Sequence, residues 1–162
     1  MADRFLSATP PPLTDQVVHP GTGRMSDVWR QWFGRMPATL EAIPSLVNRV
    51  NLTDRPASIT ATNFTGVSLL AGAYRASYRI QITRAATVSS SLRVTFGWTD
   101  GGVAQSAVGA LITGNTVTTG QSDTIVVRVD KGTNVTYAVT YASAGATSMK
   151  YAFSCSLEKV QV

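Results

Sequence analysis

Residues 74–83 read Tyr-Arg-Ala-Ser-Tyr-Arg-Ile-Gln-Ile-Thr. Tyr74, Ala76, Tyr78, Ile80 and Ile82 take alternate positions, with Arg75, Ser77, Arg79, Gln81 and Thr83 between them. Successive side chains of a strand point to opposite faces, so a two-residue period predicts a strand with one face in a core and one in water. The same period returns four times. It carries Leu92, Val94, Phe96 and Trp98 within 91–99, and Ile125, Val127 and Val129 within 124–129. It also carries Val135, Tyr137, Val139 and Tyr141 within 135–141, and Met149, Tyr151, Phe153, Cys155 and Leu157 within 149–158. Turn-forming groups separate these runs: Asp100-Gly101-Gly102, Gly114-Asn115, Gly120-Gln121-Ser122-Asp123 and Asp130-Lys131-Gly132, the last of hairpin type. Weaker strand signals cover 58–63, 103–112 and 116–119. About eight strands in residues 56–162 predict a mainly β chain, an antiparallel β-sandwich of the jelly-roll kind.

Proline marks where that sandwich is expected to begin. All seven prolines, at 10, 11, 12, 20, 37, 44 and 56, fall in the first 56 residues. Proline cannot donate to a strand ladder and is excluded from central strands. A proline-free sandwich behind a proline-rich leader implies two parts with different tasks. In residues 1–25, Pro10-Pro11-Pro12 favours an extended arm and Pro20-Gly21-Thr22-Gly23 is turn material. Such an arm is either a free tail or a strap that orders against a partner by burying Phe5, Leu6, Leu13 and Val17.

Residues 26–55 read as a short helical segment. Ser26 is a good N-cap, and Asp27 places an acid in the first turn, where the helix dipole favours it. Trp29, Phe33, Met36, Leu40, Ile43, Val47 and Val50 then recur at alternating steps of four and three, the spacing of a heptad seam. Pro37 and Pro44 interrupt it, each removing a backbone hydrogen bond. The expectation is therefore a helix over 27–36, followed by short helical pieces to about Val50, with the apolar stripe kept in line. Trp29, Trp32 and Phe33 are a heavy aromatic load for so short a helix. Either the helix folds back on the sandwich, or its rings meet a partner. The second reading makes Trp29, Trp32, Phe33 and Met36 anchor residues with the arm, and Leu40, Ile43, Val47 and Val50 an oligomer seam.

Composition limits the chemistry. Of 162 residues, 14% are charged and 44% apolar, and 21 are threonine, so the outward strand positions are filled by small polar side chains rather than ions. One Cys155 and one His19 leave no cysteine metal cluster or disulfide framework, and the scattered acids offer no carboxylate pair. No cofactor, no metal and no catalytic site are expected, and Cys155 reads as a buried, inert thiol. No apolar run approaches the ~20 residues that span a bilayer, so no membrane partner is expected. The net charge of +5 is uneven: six arginines against five acids give +1 over 1–55, and eight basic residues against four acids give +4 over 56–162. Arg75, Arg79, Arg84 and Arg93 stand singly on strand segments without an aromatic platform, so they read as solvated faces and no nucleic acid is expected. The scarcity of surface charge fits a face covered in an oligomer or a polar face for glycan contacts.

The stretch Gly21-Thr22-Gly23-Arg24-Met25-Ser26-Asp27-Val28-Trp29, with Asp15 before it and Trp32-Phe33 after it, resembles N-terminal segments of small virion proteins of tailed bacteriophages. Ala71-Gly72-Ala73-Tyr74-Arg75-Ala76-Ser77-Tyr78, with 89–98 and Thr99-Asp100-Gly101-Gly102, resembles jelly-roll head or tail appendage domains of such phages. The resemblance implies a virion location and a homo-oligomer, often a trimer, attached through its N-terminus to portal, adaptor, tail or capsid proteins. It implies a short fibre or collar appendage, with a capsid cement protein as the alternative and a host-receptor or polysaccharide-binding module as an alternative of another class.

Overall fold

A computed structural model describes residues 17–18, 21–40 and 44–160, with side chains for all of these except 34–40. Phe5, Leu6, Leu13 and Ile43 lie outside the described residues. The chain divides into two compact units, residues 1–43 and 44–162.

In the first unit Val18 and Met25 form an antiparallel bridge, and the Ser26 N–H donates to the Val17 carbonyl at 2.9 Å. The Ser26 carbonyl accepts from the Arg30 N–H at 2.9 Å and so opens helix α1 (Asp27–Leu40) in the N-cap position expected of it. Asp27 sits in the first turn, 3.6 Å from the Arg30 guanidinium. The helix does not stop at Met36 but runs through Pro37 to Leu40. Proline removes only its own N–H from the ladder, and here that falls in the last turns, where one missing bond does not end the helix.

The second unit holds eight strands: β1 (Ser45–Arg55), β2 (Ile59–Asn63), β3 (Gly72–Arg84), β4 (Ser89–Asp100), β5 (Val103–Val108), β6 (Gly120–Val129), β7 (Thr136–Ala144) and β8 (Lys150–Val160). One sheet has the order β1-β8-β3-β6 and the other β2-β7-β4-β5. The pairs are nested, β4 with β5, β3 with β6, β2 with β7 and β1 with β8, all antiparallel. They form one long hairpin rolled so that successive pairs fall in alternate sheets, which is a jelly roll. The five periodic runs are β3, β4, β6, β7 and β8, and their apolar faces make the core.

Aromatic rings stitch the two sheets together. Tyr78 of β3 lies 5.6 Å from Phe96 of β4, Phe96 stacks on Phe64 at 6.0 Å, Phe64 meets Tyr137 of β7 at 5.2 Å, and Tyr137 stacks on Phe153 of β8 at 5.7 Å. Three tyrosine hydroxyls are tied to backbone carbonyls, Tyr74 donating to Leu70, the half-buried Tyr141 to Met149 and Tyr151 to Ala57, each at 2.8 Å, while the buried Tyr78 hydroxyl has no partner among the described residues. Gly101 and Gly102 take φ of 60° and 75°, the left-handed pair that a two-residue β4–β5 hairpin turn needs. The Asp130 carboxylate accepts from both of their N–H groups, at 3.1 and 2.7 Å, and ties that hairpin to the end of β6.

Four expectations are corrected. Residues 45–55 are not helical pieces but the first strand, and the sandwich starts there rather than at 56. Opposite β8, Asn48, Val50 and Leu52 face Leu157, Cys155 and Phe153, while one extra residue between Leu46 and Asn48 makes a bulge. That bulge brings Val47 to the core side with Val50, so a two-residue period acquires a step of three and imitates a heptad. Residues 116–119 form a turn in which the Thr119 N–H donates to the Thr116 carbonyl at 2.9 Å and the Thr116 hydroxyl bonds those of Thr118 and Thr119. Threonine hydroxyls that bond locally compete with a strand ladder. β5 ends at Val108 rather than 112, because Gly109 turns its N–H to the Val94 carbonyl at 2.8 Å beneath the Tyr78 hydroxyl. Asp130-Lys131-Gly132 is a turn, but not of a hairpin: it carries the chain from β6 in one sheet to β7 in the other.

Candidate binding surfaces

The first surface is on α1. Trp29, Trp32 and Phe33 are spaced i, i+3 and i+4, which puts them on one helix face. Their rings pack on each other, with centroids 5.6 Å apart for Trp29–Trp32, 5.8 Å for Trp29–Phe33 and 5.0 Å for Trp32–Phe33. Even so packed, the two tryptophans are only half-buried and Phe33 is 43% exposed. Val17 of the arm is exposed and contributes its carbonyl, not its side chain, to the start of the helix. Met36 and Leu40 lie in α1, their side chains outside the described residues. The expected seam does not form as one stripe: Val47 and Val50 belong to β1 and pack against the jelly-roll core.

The second surface is the outer face of the β1-β8-β3-β6 sheet, and sequence reading missed it. Register places Arg49, Ser156, Ser77 and Thr124 side by side across the four strands, with Asn51, Ser154, Arg79 and Ser122 on the next rung. On the other side of the first rung stand Leu46, Glu158, Arg75 and Val126. Short hydroxyl side chains fill the middle, so the floor is low, and a shallow open depression of about 860 Å³ runs over it. Depressions of about 620, 460 and 330 Å³ lie along the same sheet. The only hint in sequence is that β3 and β8 both carry serine midway along their polar face. Which serines become neighbours depends on the register between β3 and β8.

Three arginines border this floor and differ in their ties. Arg75 is spent on Glu158: its Nε donates to Oε2 at 2.9 Å and its Nη2 donates to the same oxygen. Arg79 is held differently, its Nη2 donating to Gln81 Oε1 at 2.9 Å while Gln81 Nε2 donates to the Val117 carbonyl at 3.0 Å. Arg49 is exposed at the edge strand. Among the described residues, neither Arg49 nor Arg79 has a carboxylate at ion-pair distance. The opposite outer face is nearly free of charge: Arg93 is the one ionic side chain in the outward rows of β4 and β7, beside Thr95, Thr140 and Ala138.

The interior offers nothing reactive. Burial pushes the Cys155 thiol up to about 12 and the Tyr151 phenol, also by burial, up to about 12. Burial raises Tyr74, Tyr78 and Tyr137 in the same direction. The folded chain therefore holds protons that the unfolded chain has released, so stability is full below pH 9 and falls as pH rises toward about 12. A melting temperature flat from neutral pH to the ordinary thiol value of 9.0, then declining, is the expected record. In Cys155→Ala the decline should begin nearer 10.0, the ordinary tyrosine value. A melting temperature unchanged through this range would contradict the burial of these groups. Among the described residues no group of three His, Cys, Asp or Glu could hold a metal ion, and no helix is long and apolar enough to cross a membrane.

No family model matches the chain, and no curated protein matches it. Among solved structures it is similar to the carbohydrate-binding module CBM6cm-2 of Cellvibrio mixtus lichenase 5A in complex with cellotriose. Identity is 14%, with 72% of this chain and 91% of that one covered and a TM-score of 0.35.

Proposed function

We propose that this protein is a structural component of a tailed-bacteriophage virion, a jelly roll carried on an N-terminal segment that docks into a neighbouring virion protein. The observation that carries the reading is the Trp29, Trp32 and Phe33 face, three rings gathered on one side of the helix of the first unit, the tryptophans half-buried and Phe33 exposed. Large exposed apolar side chains that pack together mark contact sites rather than solvent faces. The likeness of the Gly21–Trp29 stretch and of 71–102 to virion proteins supports the phage assignment. A portal, adaptor or tail partner makes the module a collar or fibre appendage. A capsid partner makes it a cement protein, and its position over the particle, at one vertex or over the whole shell, separates the two. The nearly uncharged β2-β7-β4-β5 outer face, with Arg93 as the ionic side chain in the outward rows of β4 and β7, suits contact between copies, and a trimer is the state we infer from the resemblance. Photo-crosslinking from position 33 in assembled particles tests the docking, and adducts with a different virion protein are expected.

A further inference from the structure

We propose that the outer face of the β1-β8-β3-β6 sheet binds a carboxylate-bearing polysaccharide along its serine-floored depression. This goes beyond the assembly role and does not rest on it. Three features of the face point the same way. Its charge is mainly positive: Arg49, Arg75, Arg79 and Arg128 lie in its outward rows against Glu158, with Asp123 at the margin of the depression, while the other sheet offers Arg93 alone in the outward rows of β4 and β7. Arg79 is already oriented by the Gln81–Val117 relay, so little side-chain freedom is lost when its guanidinium meets a ligand. Between and beside Arg49 and Arg79 lies a floor of hydroxyls, those of Ser154, Ser156 and Ser77, the last bonded at 2.9 Å to the Thr124 hydroxyl on β6, and a hydroxyl can both donate and accept.

Those groups select the ligand. The planar guanidinium fork matches a carboxylate, and Arg79 and Arg49 stand on adjacent rungs at opposite sides of β8, as a chain with repeated acid groups requires. Neighbouring strands lie about 4.8 Å apart, so hydroxyl rows at that spacing can follow sugar hydroxyls along a chain. Nucleic acid fits less well. The one aromatic residue at the depression, Tyr78, is buried with its ring packed on Phe96, so no open ring is offered on which bases could stack. A neutral glycan would leave Arg49 and Arg79 without a carboxylate partner.

Binding of the full chain to polygalacturonate, to neutral dextran and to oligo-dT at low ionic strength decides the matter. Polygalacturonate should bind, dextran should not, and oligo-dT should bind at least tenfold more weakly. Arg79→Ala with Arg49→Ala should weaken polygalacturonate binding about tenfold or more, the scale of losing two charge-assisted contacts. Arg93→Ala on the opposite face should leave it unchanged. Ser156→Tyr should block binding with no change of charge, which separates a shaped site from general attraction between cations and anions. No binding of polygalacturonate, equal or tighter binding of oligo-dT, or equal losses in Arg93→Ala and the double variant would each overturn the proposal.

Discussion

Removal of residues 1–43 is expected to leave a folded jelly roll that no longer enters particles. Every buried core residue lies between Ile59 and Leu157, and the first strand starts at Ser45, so the cut takes nothing from the sandwich. Strand content and a cooperative melting transition should survive. Incorporation should not, because the truncated chain lacks the Trp29, Trp32 and Phe33 face. A large apolar side chain contributes roughly 1.5–3 kcal/mol when it is fully buried. Three together offset the ordering of only a handful of residues, at roughly 1–2 kcal/mol of backbone entropy each, so the contact centres on the rings of the formed helix. Incorporation of the truncated chain at the full level would put the anchor elsewhere, and an unfolded truncated chain would contradict the division into units.

Phe153→Ala should lower the stability of the jelly roll by about 3–5 kcal/mol, the range for emptying a buried phenylalanine site. Phe153 is 1% exposed, sits across from Leu52 of β1 and Ile80 of β3, and stacks on Tyr137 of the facing sheet. It therefore closes the contact between sheets at the strand that joins β1 to the rest. For a domain of this size such a loss lowers the melting temperature by roughly 10–20 °C, and it takes a large share of a total stability of ~5–15 kcal/mol. Urea denaturation of the variant reads it directly. A loss below about 1 kcal/mol would mean that the two sheets do not meet at this ring.

What was legible in the sequence follows from physics of short range. β3, β4, β6, β7 and β8 each have one wet and one dry face, and the alternation of Tyr74 to Ile82 or Met149 to Leu157 writes this out. The same is true of the i, i+3, i+4 grouping of Trp29, Trp32 and Phe33. β1 was hidden because a single bulged residue, Val47, breaks the period and leaves the four-and-three spacing that belongs to a helix seam. The 116–119 turn was hidden because threonine favours strands by shape yet here satisfies itself with local hydroxyl bonds. The serine floor was out of reach altogether. Ser77 and Ser156 are neighbours only through a register between β3 and β8, strands separated by four others in sequence. Arginines that look solitary along one strand, such as Arg79, acquire their setting from a neighbour on the same strand, Gln81, which is itself held by the Val117 carbonyl of the 116–119 turn, and from Ser154 across the sheet on β8.

The docking role of α1 is tested most directly by placing an aryl-ketone photo-crosslinker at position 33 and irradiating assembled particles. Phe33 is 43% exposed beside Trp32, so a reactive ketone there samples whatever covers the aromatic face. The predicted result is an adduct with a second, different virion protein, lost when Trp29 and Trp32 are replaced by alanine. Adducts confined to the chain's own jelly roll, or no adduct in intact particles, would contradict it.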